Sequence, residues 1–320
     1  MTTPKIFKKI ALAIFVSLSL SALPSLASPP ERAVGYWTEA AMKSARPISM
    51  VVDSKTGVGV RSLEPMVGNT LGSDWDTDGV PQKAVGKVFF SIGLGDYVCS
   101  GSVIQDENPS ISIVVTAAHC AMDAGRFVTN WAFVPDYETD GFNPTQNVWY
   151  ARNLVVRAEV ASSKSFNKNF IEHDWAFAVI PVGEFTKNNV LFTNPPSHLD
   201  SVGAFTYSQT GFTSLGQIAT AFGYPAAYPY NGGILKYAQG AIKRDPFKYA
   251  SWGMPSDLTG GASGGPWLSS LELGQVSSVN SYKYNNDSLS MYGPKFNSKT
   301  TATFQAAKAA TGSSDVIVRR

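Results

Sequence analysis

The chain has 320 residues, 44% of them hydrophobic, which is enough for one large or two small buried cores. Its 26 basic residues nearly balance its 24 acidic ones, for a net charge of +2. Three of those lysines lie in the first 27 residues, so the remainder carries 23 against 24 and offers no basic footprint for nucleic acid or an anionic membrane.

Taken in chain order, Lys5, Lys8 and Lys9 followed by the apolar run from Ile10 to Leu23 read as a signal peptide (residues 1–27). The run is too short and too rich in serine to span a bilayer comfortably. Ser25-Leu26-Ala27 offers the small residues that a signal peptidase reads, so cleavage before Ser28 is expected, giving a soluble protein that is extracellular or periplasmic. From Ser28 to Gln82 there is no strand rhythm. Tyr36 to Ala45 can form one helix, ended before Arg46-Pro47, and the rest is rich in Gly, Pro and Asp. Residues 28–82 read as a prosegment or an N-terminal extension. Within them, Asp74-Trp75-Asp76-Thr77-Asp78-Gly79 mimics the opening of an EF-hand loop, but its twelfth position is Val85 rather than a bidentate glutamate. A solvated acidic turn is the better reading, and no metal is expected.

Beyond Gly86 the texture changes to short β-rich runs between Gly, Pro, Asn and Asp turns. Strands are predicted at 87–91, 97–104, 111–116, 131–134, 148–156 and 175–180, then at 217–222, 233–239, 266–269 and 275–281. Such a series argues for all-β barrels or a sandwich, not βαβ units. An alanine-rich helix is predicted near 300–310.

Three fragments carry chemistry: Thr116-Ala117-Ala118-His119-Cys120, then His173-Asp174-Trp175-Ala176, then Gly260-Gly261-Ala262-Ser263-Gly264-Gly265-Pro266. Taken singly, the first is a strand-end histidine, the second a turn aspartate and the third a glycine-rich turn. Together they supply a base, the base's orienter and a nucleophile. A serine hydroxyl needs an adjacent base, imidazole titrates near operating pH, and a buried carboxylate fixes its tautomer. The glycines permit a strained turn, and the amides of Gly261 and Ser263 can face a developing oxyanion. The chain has three histidines; His173 points away from its neighbour Asp174 along a strand, and His198 lies in a loop, which leaves His119 as the base. Gly261 to Gly265 also satisfies the elbow motif of α/β-hydrolases, but that arrangement needs its histidine after the serine, and all three precede Ser263. Cys99 and Cys120 are the two cysteines; an even count in an exported protein favours a disulfide, the alternative being two buried thiols.

These stretches resemble the trypsin/chymotrypsin-like serine protease clan, and within it exported bacterial trypsin-like and glutamyl-endopeptidase-like peptidases. Thr116 to Cys120 matches the motif around the base. Asp174-Trp175-Ala176-Phe177 is a variant of the one after the orienter, and Ser263-Gly264-Gly265-Pro266 matches the nucleophile motif. Cys99-Ser100-Gly101-Ser102 is similar to the strand whose cysteine bridges to the one beside the base. The resemblance covers about Val85 to Ser281. It implies two six-stranded-type antiparallel β-barrels (83–185 and 186–320, the second with the C-terminal helix), with His119, Asp174 and Ser263 in the cleft between them.

Two departures matter. Trypsin-type zymogens place an aspartate before the nucleophile to receive a freed N-terminus; here Ala262 stands there and no Ile-Val-Gly-Gly start exists, so that switch is expected to be absent. The extension is then a folding aid, a plug or a retained segment. Asp257 lies six residues before Ser263, where trypsin-like enzymes hold the carboxylate that receives Arg or Lys, though the flanking cysteines are missing. Asp257, Asn280 and Ser281 are the candidates for substrate contact. Glutamate specificity is disfavoured, since no histidine follows His198. The resemblance thus implies a secreted serine endopeptidase made as a zymogen, without cofactor. Its partners would be polypeptide substrates and its own prosegment. The alternative is a catalytically inert binding module of the same fold.

Overall fold

The computed structural model describes residues 31–32, 36–62, 72–137 and 147–319. The expected signal peptide lies outside the described residues.

Between residues 36 and 62 the extension forms a short helix α1 (Glu39–Ser44), N-capped by the Thr38 hydroxyl on the Ala41 amide. Three strands follow: β1 (Arg46–Pro47), β2 (Ser49–Val52) and β3 (Gly59–Ser62). The expectation of no strand in this region is corrected. These segments are too short to show a pattern of their own and become strands by pairing with the barrels they cross.

The first barrel is built from β4 (Val85–Ile92), β5 (Gly95–Ile104), β6 (Ile111–Thr116), β7 (Thr129–Pro135), β8 (Trp149–Tyr150), β9 (Asn153–Arg157) and β10 (Ala176–Pro181). Its spatial order is β8-β7-β4-β5-β6-β10-β9, antiparallel throughout. β6 and β10 are buried along their whole length. That is why both read as continuous apolar runs rather than alternating ones. The run expected over 148–156 is divided: the Ala151 amide bonds to Trp131 O of β7, whereas the Arg152 amide bonds to Val179 O of β10.

The second barrel holds β11 (Ile218–Gly223), β12 (Lys236–Ala241), β13 (Ser251–Pro255), β14 (Pro266–Ser270), β15 (Gln275–Val279), β16 (Tyr282–Tyr284) and β17 (Asp287–Pro294). One sheet contains β15-β14-β11-β12 and the other β13-β17-β16-β2-β3, so the extension supplies two strands of the latter. The strand expected over 275–281 is divided. Val279 pairs with β14, whereas the Ser281 amide bonds to Tyr292 O, and the chain passes from one sheet to the other across Asn280–Ser281. That passage lies beside the catalytic candidates.

The C-terminal helix α2 (Ser298–Lys308) starts with a capping box between Asn297 and Thr300. Its Phe304 packs on Phe177 and Tyr207, covering β10 from outside. A last strand, β18 (Val316–Val318), pairs in parallel with β9.

Cys99 of β5 and Cys120, in the turn after β6, form a disulfide across 21 residues. In the chain-entropy picture such a loop contributes about 3 kcal/mol. The double replacement Cys99→Ser/Cys120→Ser is expected to lower unfolding free energy by about that amount, read as a shift of the denaturant midpoint at constant slope.

Candidate active site

His119 sits in a single 3₁₀ turn (Ala118–Cys120) just past β6, and Asp174 lies just before β10. The pairing of Thr116 with Ala176 places these two strand ends side by side. Asp174 is fully buried. Its Oδ1 accepts the main-chain N–H of His119 at 2.9 Å, and its Oδ2 meets His119 Nδ1 at 2.8 Å. The Ser281 hydroxyl donates to the same Oδ2 at 2.5 Å. A carboxylate removed from water is tolerable only when its oxygens are bonded in this way. With Nδ1 donating to Asp174, Nε2 is the basic nitrogen. It is buried and has no hydrogen-bond partner among the described residues.

Ser263 lies in the turn between β13 and β14. Ser100 of β5 holds this turn, its amide donating to Ser263 O at 2.7 Å and its hydroxyl to Gly261 O at 2.8 Å. Gly261 has φ +97°, and a Cβ there would meet Ala226 N and Tyr224 O at 2.8 Å. Gly264 has φ +83°, and a Cβ would stand 2.1 Å from Thr116 Oγ1 and 2.7 Å from Ala117 N. The second contact shows how tightly the Ser263 turn is pressed against the chain leading to His119. Only glycine fits either position.

The Gly261 amide donates 3.1 Å to a carbonyl oxygen, that of Ile48 in the extension. The Ser263 hydroxyl donates to the same oxygen at 3.3 Å. A carbonyl thus already lies where the amide can polarise it. Beside Ser263 is a pocket lined by Leu258, Thr259, Gly260, Ser281, Tyr282 and Met291. Its strand β16 is rigid: the Tyr282 and Tyr284 hydroxyls both donate to Asp245 Oδ2, at 2.6 and 2.8 Å.

The structure gives two of the candidates for substrate contact partners within the protein. Asp257 Oδ1 accepts from the Gly72 amide at 2.7 Å and the Tyr230 hydroxyl at 3.0 Å. Asn280 is fully buried and is spent on structure: Nδ2 donates to Phe222 O and Ala262 O, and Oδ1 accepts from Trp267 Nε1. Ser281 lines the pocket, but its hydroxyl serves Asp174. His173 bonds to Asn169 O and His198 to the carbonyls of Asn108 and Ile111, so neither takes part in the His119–Asp174 pair. In the acidic turn, Asp74 forms an ion pair with Lys236.

Lys283 was not singled out from the sequence. It is buried beside the pocket, its Nζ donating to Ser256 O and Ser288 O, each at 2.6 Å. Burial brings its pKa down to about 7, against the pull of Asp257 and Asp287. A lone lysine in a mostly apolar strand gives no sequence signal of this kind.

The architecture matches that of solved proteases. The structure superposes on protease Anisep from Arthrobacter nicotinovorans with a TM-score of 0.60 and 33% identity, covering 75% of this chain and all of that one. It is similar to AL20, a thermostable serine protease from an extremophilic microorganism, with a TM-score of 0.59 and 34% identity over 73% of this chain and all of that one. A Glu endopeptidase shares the fold at 16% identity, with a TM-score of 0.55 over 76% of this chain and 99% of that one. No protein-family model and no curated relative matches. The chain belongs to the trypsin/chymotrypsin-like serine proteases, as a double β-barrel of the bacterial type.

Lys283 gives the fold a pH signature. Between pH 7 and its ordinary value near 10.5, the folded protein holds one proton fewer at this site than the unfolded chain. The unfolded state binds more protons, so this group's contribution to stability grows as pH rises through that window. Lys283→Met is expected to reduce the rise of Tm with pH by a few degrees, checked by calorimetry of both proteins from pH 6 to pH 10.

Proposed function

We propose that the protein is an exported serine endopeptidase that hydrolyses polypeptides through an acyl-enzyme. The observation that carries this reading is the buried Asp174–His119 pair, with Nε2 left as a base, combined with the Gly261 amide bonded to a carbonyl oxygen that also meets the Ser263 hydroxyl. The serine protease neighbours support the same class of reaction.

In this mechanism Ser263 Oγ attacks the scissile carbonyl carbon while His119 Nε2 takes its proton. The carbonyl oxygen gains negative charge and is held by the Gly261 amide, with the Ser263 amide as second donor. Asp174 stabilises the imidazolium and stays ionised. The proton then passes from Nε2 to the leaving amine, and water repeats the sequence to release the acid product. Ser281 positions Asp174 rather than touching substrate. No step requires a cofactor.

On this reading residues 1–27 direct export, 28–82 form the prosegment of a zymogen, and 83–185 and 186–320 are the two barrels of the mature enzyme. The prosegment is then a partner of the cleft in its own right.

Protein recovered from the medium, with its N-terminus sequenced, is expected to hydrolyse casein and to be labelled stoichiometrically at Ser263 by a fluorophosphonate. Ser263→Ala should lower turnover by roughly four orders of magnitude or more with the fold intact. Undiminished hydrolysis in that variant refutes the assignment. Ser281→Ala removes one donor from a buried anion, a loss of about 1.5–3 kcal/mol. It should cost about tenfold or more in kcat/KM.

A further inference from the structure

The segment that brings Ile48 to Ser263 pairs with a strand of each barrel. Its first part, β1, pairs in parallel with Tyr97 and Val98 of β5, the strand that the disulfide joins to the His119 turn. Its second part, β2, pairs in parallel with β16, Met50 beside Tyr282 and Val52 beside Tyr284. Between them the Ile48 amide bonds to Val98 O and its carbonyl sits on Gly261 N and Ser263 Oγ. The chain then folds back as β3, whose Gly59 amide bonds to Phe166 O, and Arg61 reaches Asp123 at 2.8 Å. The Ile48 and Val52 side chains are fully buried and Met50 nearly so. His119 is left 2% exposed and Ser263 5%.

Direction decides what such a segment can do. For hydrolysis, His119 must hand its proton to the leaving nitrogen, so the part of the substrate that departs has to lead off on the His119 side. Here the residues before Ile48 lie on the β5 side, tied to His119. Those after it lead to the pocket, with Ser49 against Gly260. The amine of the Ile48–Ser49 bond therefore faces away from the acid that would protonate it. The nucleophile is also diverted: the Ser263 proton goes to the Ile48 oxygen, and His119 Nε2 has no partner.

We infer that residues 46–52 are a built-in inhibitor that occupies the cleft in the reverse of the productive direction, uncleaved. The mature protease would then gain activity only when another event removes this strand from β5 and β16. The inference rests on the serine protease reading given above, and gives the extension the role of a plug among the three left open by the sequence.

The test compares the full chain after signal removal with its Ile48→Asp/Met50→Asp variant. Two carboxylates cannot remain unpaired at those buried positions, so the strand must leave. Arg61→Glu, which breaks the tie to Asp123 and the stacking of Arg61 on Tyr97, serves if the double variant does not fold. Two readouts are taken: the rate of fluorophosphonate labelling at Ser263, and hydrogen exchange of the amides of Tyr282–Tyr284. Labelling is expected to accelerate at least tenfold, together with faster exchange. A synthetic peptide spanning residues 44–54 should slow the variant again, and the same residues in reversed order should not. Equal labelling of both chains with faster exchange in the variant overturns the inference and leaves the protease reading standing. Unchanged exchange overturns it as well, since the strand then does not lie on β16. A variant that opens by exchange yet is never labelled refutes the protease reading, and this one with it.

Discussion

The site depends on one anion out of reach of water. Asp174 can be held in a fully buried position only because three donors converge on it, two from His119 and one from Ser281, a distant stretch of chain. The His119 amide and ring belong to the first barrel, and Ser281 belongs to the passage between the two sheets of the second. Satisfying this carboxylate therefore locks the barrels together and fixes the imidazole tautomer in one stroke. The glycine turn then has to bring Ser263 against the same point, and the absence of room for any Cβ at 261 or 264 measures how little slack remains.

The motifs around His119, Asp174 and Ser263 were legible because their chemistry restricts residue type: a base, an acid and a glycine-flanked nucleophile leave few substitutes. Strands buried on both faces, such as Ile111–Thr116 and Ala176–Pro181, were legible from their unbroken apolar runs. Ser251–Pro255 and Asp287–Pro294 were not, because glycine, tyrosine and serine there pack by shape and hydroxyl bonding, without a simple period. Pocket lining was legible least of all. Asp257 and Asn280 were chosen by position along the chain, and side-chain direction at a turn follows from bonds made by residues distant in sequence. Nothing local marks Ser281 as a serine whose hydrogen-bond partner is 107 residues away.

The extension shows the same limit on a larger scale. Residues 46–62 carry weak strand propensity, and their structure is imposed by the edges they meet, not by their own sequence. Pro47 fits, since a strand of two residues at a sheet edge has little need of its amide. Lys283, a cation among carbonyl oxygens, is a feature that composition cannot reveal at all.

The seating of β2 on β16 also decides what the sheet exposes if that strand departs. While Ser49–Val52 are in place, the outer amides and carbonyls of Tyr282–Tyr284 are paired and their apolar neighbours are roofed over. Once that cover departs, the sheet ends in a bare rim able to recruit any extended backbone, a second copy of the molecule included. If the cleft is opened as proposed, the freed form is consequently stickier and less robust than the covered one.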